Sequence, residues 1–474
     1  MSYDSNRDRP AGKVSYMKMP TFHRHALYVL LVFPTALVPC SAQQEQLRLI
    51  EVDPGHSHLS GLHARMLPDV SDVVHIYSPL DAELMAHLAA IARSNGRATN
   101  PTHWSVQLFA GPDYLTELTR EHPGGIVALS GRNALNIRYI EAALNGGQHV
   151  FADKPWIIDS EAFPRLEAAL KVARRNHLVT LDWMSLRSDA AYRLVRDVVR
   201  QEAVFGVPVP GSIDQPSVRL ENLHALLKYS NGLPQRRPVA FLDVRQQGEG
   251  MADVGTHLAD IAHWTLFPGQ EISYRKDIRV LRGTHSALKL TLDQLNRLTG
   301  ESAWPPYLKD RVIDNKLTDY TNGSCLYTVK GVHVSMKVAW HFEAALGEQD
   351  SYFASYLGTR SLVELRSGPK EKFVPEIYLT PSVTEPPATW EANLKSLVDR
   401  LQKDYPNLAS EKEGRSIHLI LPKADRSDDG IQALFKEFVG FIRDGSTFPE
   451  FENSNLLAKY YVTTTAVALA NSRQ

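Results

Sequence analysis

The sequence predicts an α/β chain in two parts: an N-terminal parallel sheet, then an α+β domain with a large, mostly antiparallel, open sheet. Three observations point there. From Leu47 to about Thr180, short β-rich runs alternate with helical stretches, the pattern of βαβ units and a parallel sheet. After Arg187 the texture changes to two-residue alternation, which marks strands covered on one face. The length of 474 residues, 43% apolar and 22% charged, fits a globular chain of two domains. Lysine and arginine number 52 against 53 acids, so no net field draws the chain to nucleic acid or an anionic membrane. The expected partner is a small molecule.

In chain order, the first feature is "ALYVLLVFPTALV", residues 26–38, preceded by "MKMPTFHRH" and followed by "PCSAQQ". A basic start, a short apolar run and small residues at Cys40 and Ala42 read as a secretory signal over 1–42, cut after Ala42. The protein is then exported to the periplasm. The run is too short to span a bilayer and holds Pro34. A buried helix is the competing reading, and a lipoprotein anchored through Cys40 is another, disfavoured by Pro39. Met17 or Met19 could serve as the start. The other cysteine is Cys325, so the mature chain has no internal disulfide.

The strands follow: "LRLIEV" (47–52), "DVVHIY" (72–77), "GIVALSG" (125–131), "QHVFA" (148–152) and "LVTLDW" (178–183). Between them, "NALNIRYIEAALNGG" has apolar residues at helical spacing, Asn133 at the cap and Gly146–Gly147 at the stop. "SEAFPRLEAALKVARRN" is a further helix. Ligands of parallel sheets sit beyond the carboxyl ends of the strands. Here those ends are Asp53–His58, Tyr77–Pro79, Ser130–Asn133, Asp153–Pro155 and Asp182–Arg187.

Beyond Arg187, "CLYTVKGVHVSMKVAWHF" (325–342) reads as a hairpin turning at Lys330–Gly331, with Val332, Val334, Met336, Val338 and Trp340 on one face. Strand-like runs recur at 351–366 and 415–421, and helices at 430–443 and 454–471 close the chain. Proline-rich 206–218 and 379–390 read as loops.

The stretch "GEGMADVGTHLADIAHWTLFPG" (248–269) raises the question of a site. As a helix over 251–266 it carries Asp253, His257, Asp260 and Trp264 on one stripe, opposite Val254, Leu258 and Ile261. Asp253 and His257, four apart, are neighbours, and a carboxylate can orient a histidine and raise its basicity for general-base work. The same stripe reads as a solvated face with an incidental pair. No second His/Cys cluster declares itself, so no metal is expected.

"FADKP" puts Lys154 just past a parallel strand, and Asp-x-Gly-x-His follows about a hundred residues later. This combination resembles the Gfo/Idh/MocA oxidoreductases. In that family a Glu-Lys-Pro motif supplies the catalytic lysine, and a later Asp and His complete the site. The resemblance places those roles on Lys154, Asp253 and His257, with Asp153 replacing the glutamate. It implies a Rossmann domain over 43–186 and a substrate domain over 187–474, with inserts at 85–107 and 286–322 and terminal helices packing back on the first domain. It further implies cofactor contacts at Gly55, His56, His58, Ser78, Ser130, Asn133 and Lys154, and substrate contacts at Lys154, Arg187, Asp253 and His257. NAD or NADP is the implied cofactor, NAD favoured, and a sugar, glycoside or cyclitol hydroxyl the substrate. Association through the open second sheet is possible. "DPGHSH", "NPTHW" and "QQGEGMADVGTHLAD" resemble a bacterial branch with its own C-terminal domain.

The phosphate loop departs from the family. A dinucleotide fingerprint wants G-x-G-x-x-G after the first strand; this chain offers Gly55, with His56 and His58 beside it and Gly61 further on. The second strand ends in Tyr77-Ser78-Pro79, with Asp81 three residues late. Either a modified loop holds the dinucleotide, with the imidazoles near the phosphates, or binding has decayed; the two histidines could also be core or metal residues. Two further functions stay open: net glycoside hydrolysis by an oxidation–elimination–hydration cycle on bound NAD, and a binding protein without turnover.

Overall fold

The computed structural model describes residues 46–472 apart from Ser57, Asn231, 423–429 and 445–447. The expected signal segment, its cleavage point and Cys40 lie outside these residues. Strands β1 (Leu47–Val52), β2 (Val70–Ser78), β3 (Ser105–Ala110), β4 (Ile126–Leu129), β5 (His149–Asp153) and β6 (Thr180–Trp183) form a parallel sheet in the order β3-β2-β1-β4-β5-β6. Helices α1 (His58–Leu62), α2 (Ala82–Gly96), α3 (Tyr114–Leu118), α4 (Asn133–Asn145) and α5 (Phe163–Arg175) connect them. All four residues of β4 are buried, because both faces of such a sheet are covered. The strand order reverses between β1 and β4, which opens a crevice beside Asp53–His56 and Ser130–Asn133.

Two expectations change here. The segment 85–107, expected as an insert, supplies most of α2 and starts the edge strand β3. Five of the six β3 residues are exposed, so no apolar alternation announces it. Asn133 is the first residue of α4, and Arg132 holds the cap position without a side-chain cap bond.

After α6 (Ala190–Val199) the second sheet begins. Its strands are β7 (Val218–Ser230), β8 (Leu233–Gln235), β9 (Ile278–Thr291), β10 (Val312–Ile313), β11 (Lys316–Val329), β12 (Val332–Glu343), β13 (Ser351–Leu357), β14 (Ser361–Ser367), β15 (Glu376–Pro381), β16 (Ala409–Glu413) and β17 (Ser416–Ile420). The order is β10-β11-β12-β7-β13-β14-β15-β17-β16, with β8 on β7 and β9 on β11. The β12–β7 pairing is parallel and the rest antiparallel, so the sheet is mixed but mostly antiparallel. The β11–β12 hairpin turns at Lys330–Gly331, both at positive φ, and Val332, Val334, Met336 and Val338 are buried as their period requires.

Segment 286–322 is likewise structural, carrying the end of β9, α10 (Leu292–Thr299, numbered after the helices below) and the start of β11. Residues 379–390 are only partly loop: they hold the end of β15 and the start of α11 (Pro387–Leu401), where proline suits the first helical turn.

The helix expected over 251–266 is two helices. After α7 (Val244–Gln247) come α8 (Gly250–Asp253) and α9 (Gly255–Leu266), broken at Val254. Gly250 explains the seating of α8: a Cβ there would lie 1.8 Å from the Thr321 carbonyl oxygen of β11. At the break, the Thr256 hydroxyl donates to the Asp253 carbonyl at 2.6 Å.

Of the last helices, α12 (Gly430–Arg443) lies against the parallel sheet, whereas α13 (Phe451–Asn471) packs chiefly on β9 of the second sheet, where Gly283 lets the Ala466 backbone approach. Phe435 and Phe438 each sit 5.2 Å from the Phe151 ring of β5, a burial that contributes about 1.5–3 kcal/mol per side chain. Among the described residues no helix is long and apolar enough to cross a membrane.

Candidate functional site

Lys154 follows β5 directly, and its ammonium pairs with Asp253 Oδ1 at the end of α8. Asp253 Oδ2 accepts from Gln247 Nε2 at 3.0 Å. The Gln247 carbonyl in turn accepts from Asn133 Nδ2 at 2.8 Å, so the Asn133 amide braces the site from α4. Burial disfavours charge on Lys154, but Asp253 and Asp153 outweigh it and hold its pKa above the ordinary value. For Asp253, burial pulls upward and Lys154 outweighs it, leaving the carboxylate below its usual range.

His257 stands on α9 within reach of both charges. Burial first, then the Lys154 cation, lower its pKa to about 3. The ring is therefore neutral at neutral pH, and its buried Nδ1 has no hydrogen-bond partner among the described residues. The structure corrects the role expected of Asp253. With the helix broken at Val254, its two carboxylate oxygens serve Lys154 and Gln247, and it fixes the lysine, not the imidazole.

The rest of the stripe is not solvated. Asp260 is buried and accepts from Arg187 at 2.6 and 2.7 Å. Lys459 of α13, itself buried, lies 3.3 Å from Asp260 and 2.7 Å from Asp182 at the end of β6. The Tyr460 hydroxyl donates to Asp182 at 2.7 Å. Arg187, expected at the substrate, also pairs with Glu452 at 3.1 Å; its fork is committed to two carboxylates, which makes it a brace between α9 and α13.

At the β1/β4 crevice the close approach belongs to Gly131. A Cβ there would lie 2.1 Å from the Asp53 carbonyl oxygen, whereas one at Gly55 would meet Gly131 Cα at an ordinary 3.5 Å. The N–H groups of Gly55 and His56 donate to the Ser130 carbonyl at 3.1 and 3.0 Å, and Ser130 Oγ donates to Asp153 Oδ2 at 2.7 Å. Ser78 Oγ, at the end of β2, is buried without a partner among the described residues. Arg132 bonds Asp53 at 2.8 Å and Asp81. A glycine-lined approach and an orphaned Ser78 hydroxyl at the switch point fit a dinucleotide in this crevice.

His58 Nδ1 lies 2.7 Å and His56 Nδ1 3.8 Å from Asp153 Oδ2. The three offer ligand atoms within 4.8 Å of one another, as do Glu51, His63 and His87 beneath β1. Sequence reasoning found His56 and His58 but not their meeting with Asp153.

The wall contributed by the second sheet went unread. His224 of β7 stacks on Trp340 of β12, centroids 4.5 Å apart, and its Nδ1 is 2.8 Å from Asp350. Its Nε2 is buried without a partner. The Arg237 guanidinium lies 4.3 Å over Phe241 and 5.4 Å from Trp340. Burial lowers the pKa of both His224 and Arg237, and Asp253 is among the carboxylates that oppose the fall. Arg237 follows the short strand β8 and His224 alternates in β7, positions without a motif. Lys459 did leave a trace: it is the one cation within the otherwise uncharged run "NSNLLAKYYVTTTAVALAN".

Comparison with known proteins bears on the whole chain. Residues 194–471 match the family described as "Putative oxidoreductase C terminal domain", and a search of curated proteins finds no match. Among solved structures, an oxidoreductase from Parabacteroides merdae is 32% identical with a TM-score of 0.88, covering 90% of this chain and 98% of its own. Two others share the fold at 14% identity. They are myo-inositol 2-dehydrogenase from Lactobacillus plantarum, with TM-score 0.52 over 91% of this chain and 98% of its own, and GenD2 of gentamicin A biosynthesis, solved with NAD, with TM-score 0.55 over 92% and 98%. The chain belongs to the Gfo/Idh/MocA-type oxidoreductases, in the group that carries this C-terminal domain.

Proposed function

We propose that this oxidoreductase moves a hydride between a carbinol carbon of a sugar, glycoside or cyclitol and a nicotinamide dinucleotide, NAD before NADP, after export from the cytoplasm. The observation that carries the reading is the Lys154–Asp253 pair, set at a parallel-strand end beside the neutral His257. A bound dinucleotide would supply the hydride acceptor. His257 takes the hydroxyl proton, which a neutral imidazole can do. Lys154 donates a hydrogen bond to the reacting oxygen and offsets its developing negative charge. Asp253 and Gln247 hold the ammonium in place, and Asn133 holds Gln247. The products are a carbonyl, a reduced dinucleotide and a proton on His257 that leaves to solvent.

The inositol dehydrogenase of like fold and the polar, aromatic wall around His224 and Trp340 support a polyhydroxylated substrate. The NAD bound by GenD2, of like fold, supports the same cofactor here. The test follows nicotinamide absorbance with inositols, hexoses and alkyl glucosides. His257→Ala is expected to lower turnover about 10²- to 10⁴-fold, with Lys154→Met similar and KM moving less than kcat. Unchanged rates in both variants would remove the assignment.

A further inference from the structure

We propose that His56, His58 and Asp153 form a site for a zinc-like divalent transition ion, open toward the crevice, where the ion receives the pyrophosphate of the dinucleotide. The last clause rests on the function proposed above; the ion site stands without it.

The geometry comes first. Two imidazoles and a carboxylate are a borderline-soft donor set, suited to zinc, cobalt, nickel or iron and not to calcium or magnesium. In a tetrahedral shell with bonds of ~2.1 Å, ligand atoms lie ~3.4 Å apart. The observed separations from Asp153 Oδ2, 2.7 Å to His58 and 3.8 Å to His56, straddle that value. Bringing these two separations to that value takes under an ångström each; the His58 N–H then leaves His56 Nδ1, and the His58 proton now shared with Asp153 moves to Nε2 or to solvent.

The surroundings resemble those of a working metal ligand. Asp153 Oδ2 also accepts from Ser130 Oγ at 2.7 Å and Oδ1 from the Lys154 N–H at 2.9 Å, which fixes the carboxylate. The His58 ring leans on Trp183 at 5.5 Å. The side chains of His56 and His58 are 40% and 46% exposed, so the shell is closed by protein on one side and open on the other. Three protein ligands and an open position are the arrangement of reactive ions rather than of buried structural ones.

The crevice also lacks what a pyrophosphate needs. In a glycine-rich loop, backbone amides point at the phosphates. Here the amides of Gly55 and His56 go to the Ser130 carbonyl. Arg132 is bound by Asp53 and Asp81, and Lys154 by Asp253. Among the described residues of this loop no cation is left over, and a divalent ion would supply the charge.

The competing cluster, Glu51 with His63 and His87, is different in kind. It is fully buried, and each carboxylate oxygen already takes one ring nitrogen, at 2.7 and 2.6 Å, which satisfies it without an ion.

The experiment titrates chelator-stripped full-length protein with Co²⁺ and Zn²⁺ by calorimetry, reading the Co²⁺ visible spectrum alongside. One equivalent per chain is expected. His56→Ala and His58→Ala, checked by thermal melt, should each weaken it at least about 100-fold, the upper end of what losing even an outer partner costs. No stoichiometric uptake, or uptake unchanged in both variants, overturns the site. NAD⁺ is then titrated into stripped and Zn²⁺-loaded protein. Tighter binding to the loaded form is expected, with reciprocal tightening of the ion. Equal affinity overturns the pyrophosphate role. No NAD⁺ binding to either form sinks the dinucleotide reading while leaving the ion site standing.

Discussion

At the scale of single residues, charge and burial decide more than spacing. Asp253 and His257 were legible because an Asp-x-Gly-x-His run and a lysine past a strand are local patterns. Their pairing was not, since four-residue spacing makes neighbours only on an unbroken helix, and this one is interrupted at Val254. Arg187 was legible as a position but not as a partner, because Asp260 and Glu452, 73 and 265 residues away, claim its guanidinium. Asp319 on β11 gives a prediction at this scale. It is buried, Arg311 stands off at 3.7 Å, and both oxygens lack a hydrogen bond. Burial raises its pKa to about 7, with Arg311 opposing and Asp243 adding to the rise. The unfolded chain gives up this proton near pH 4 and the folded chain near 7, so the group costs stability increasingly as pH rises across that window. Asp319→Asn, isosteric with the protonated acid, should therefore raise the melting temperature little at pH 4, more toward pH 7, and equally above it. A gain independent of pH would remove the buried-charge explanation.

Among the elements, those covered on both faces or on one announce themselves, and edges do not. Strand β4 is a four-residue apolar block and β12 alternates cleanly, whereas β3 has almost no buried face. Helix α13 was read as a helix but not as the buttress of the site. Its Lys459 is wedged between Asp182 and Asp260, joining the end of β6 to α9. Removing that cation leaves two buried carboxylates facing each other's charge. Lys459→Met is expected to destabilise the protein by about 3–5 kcal/mol, seen in denaturant unfolding at neutral pH. The double change Lys459→Met with Asp260→Asn should recover part of the loss; no recovery would mean that the lysine acts through packing alone.

For the whole molecule, the two-sheet architecture was readable because each half keeps one periodicity over many residues. The crevice between β1 and β4 was readable as a place, but the contact of Gly131 with the Asp53 carbonyl was not, since only the folded chain brings the two together. Export is a prediction at this scale: mass measurement of the mature protein from its native host should give Gln43 as the first residue, and a chain that keeps residues 1–42 would contradict it. The central claim is that this crevice binds a nicotinamide dinucleotide, and calorimetric titration tests it most directly. Wild-type protein, as purified with its metal complement, should bind NAD⁺ one to one. Gly131→Ala should lose most of that affinity, because its Cβ must displace the loop, while Gly55→Ala should keep it. No heat with either NAD⁺ or NADP⁺ from protein that melts cooperatively and releases no dinucleotide on denaturation would contradict the account.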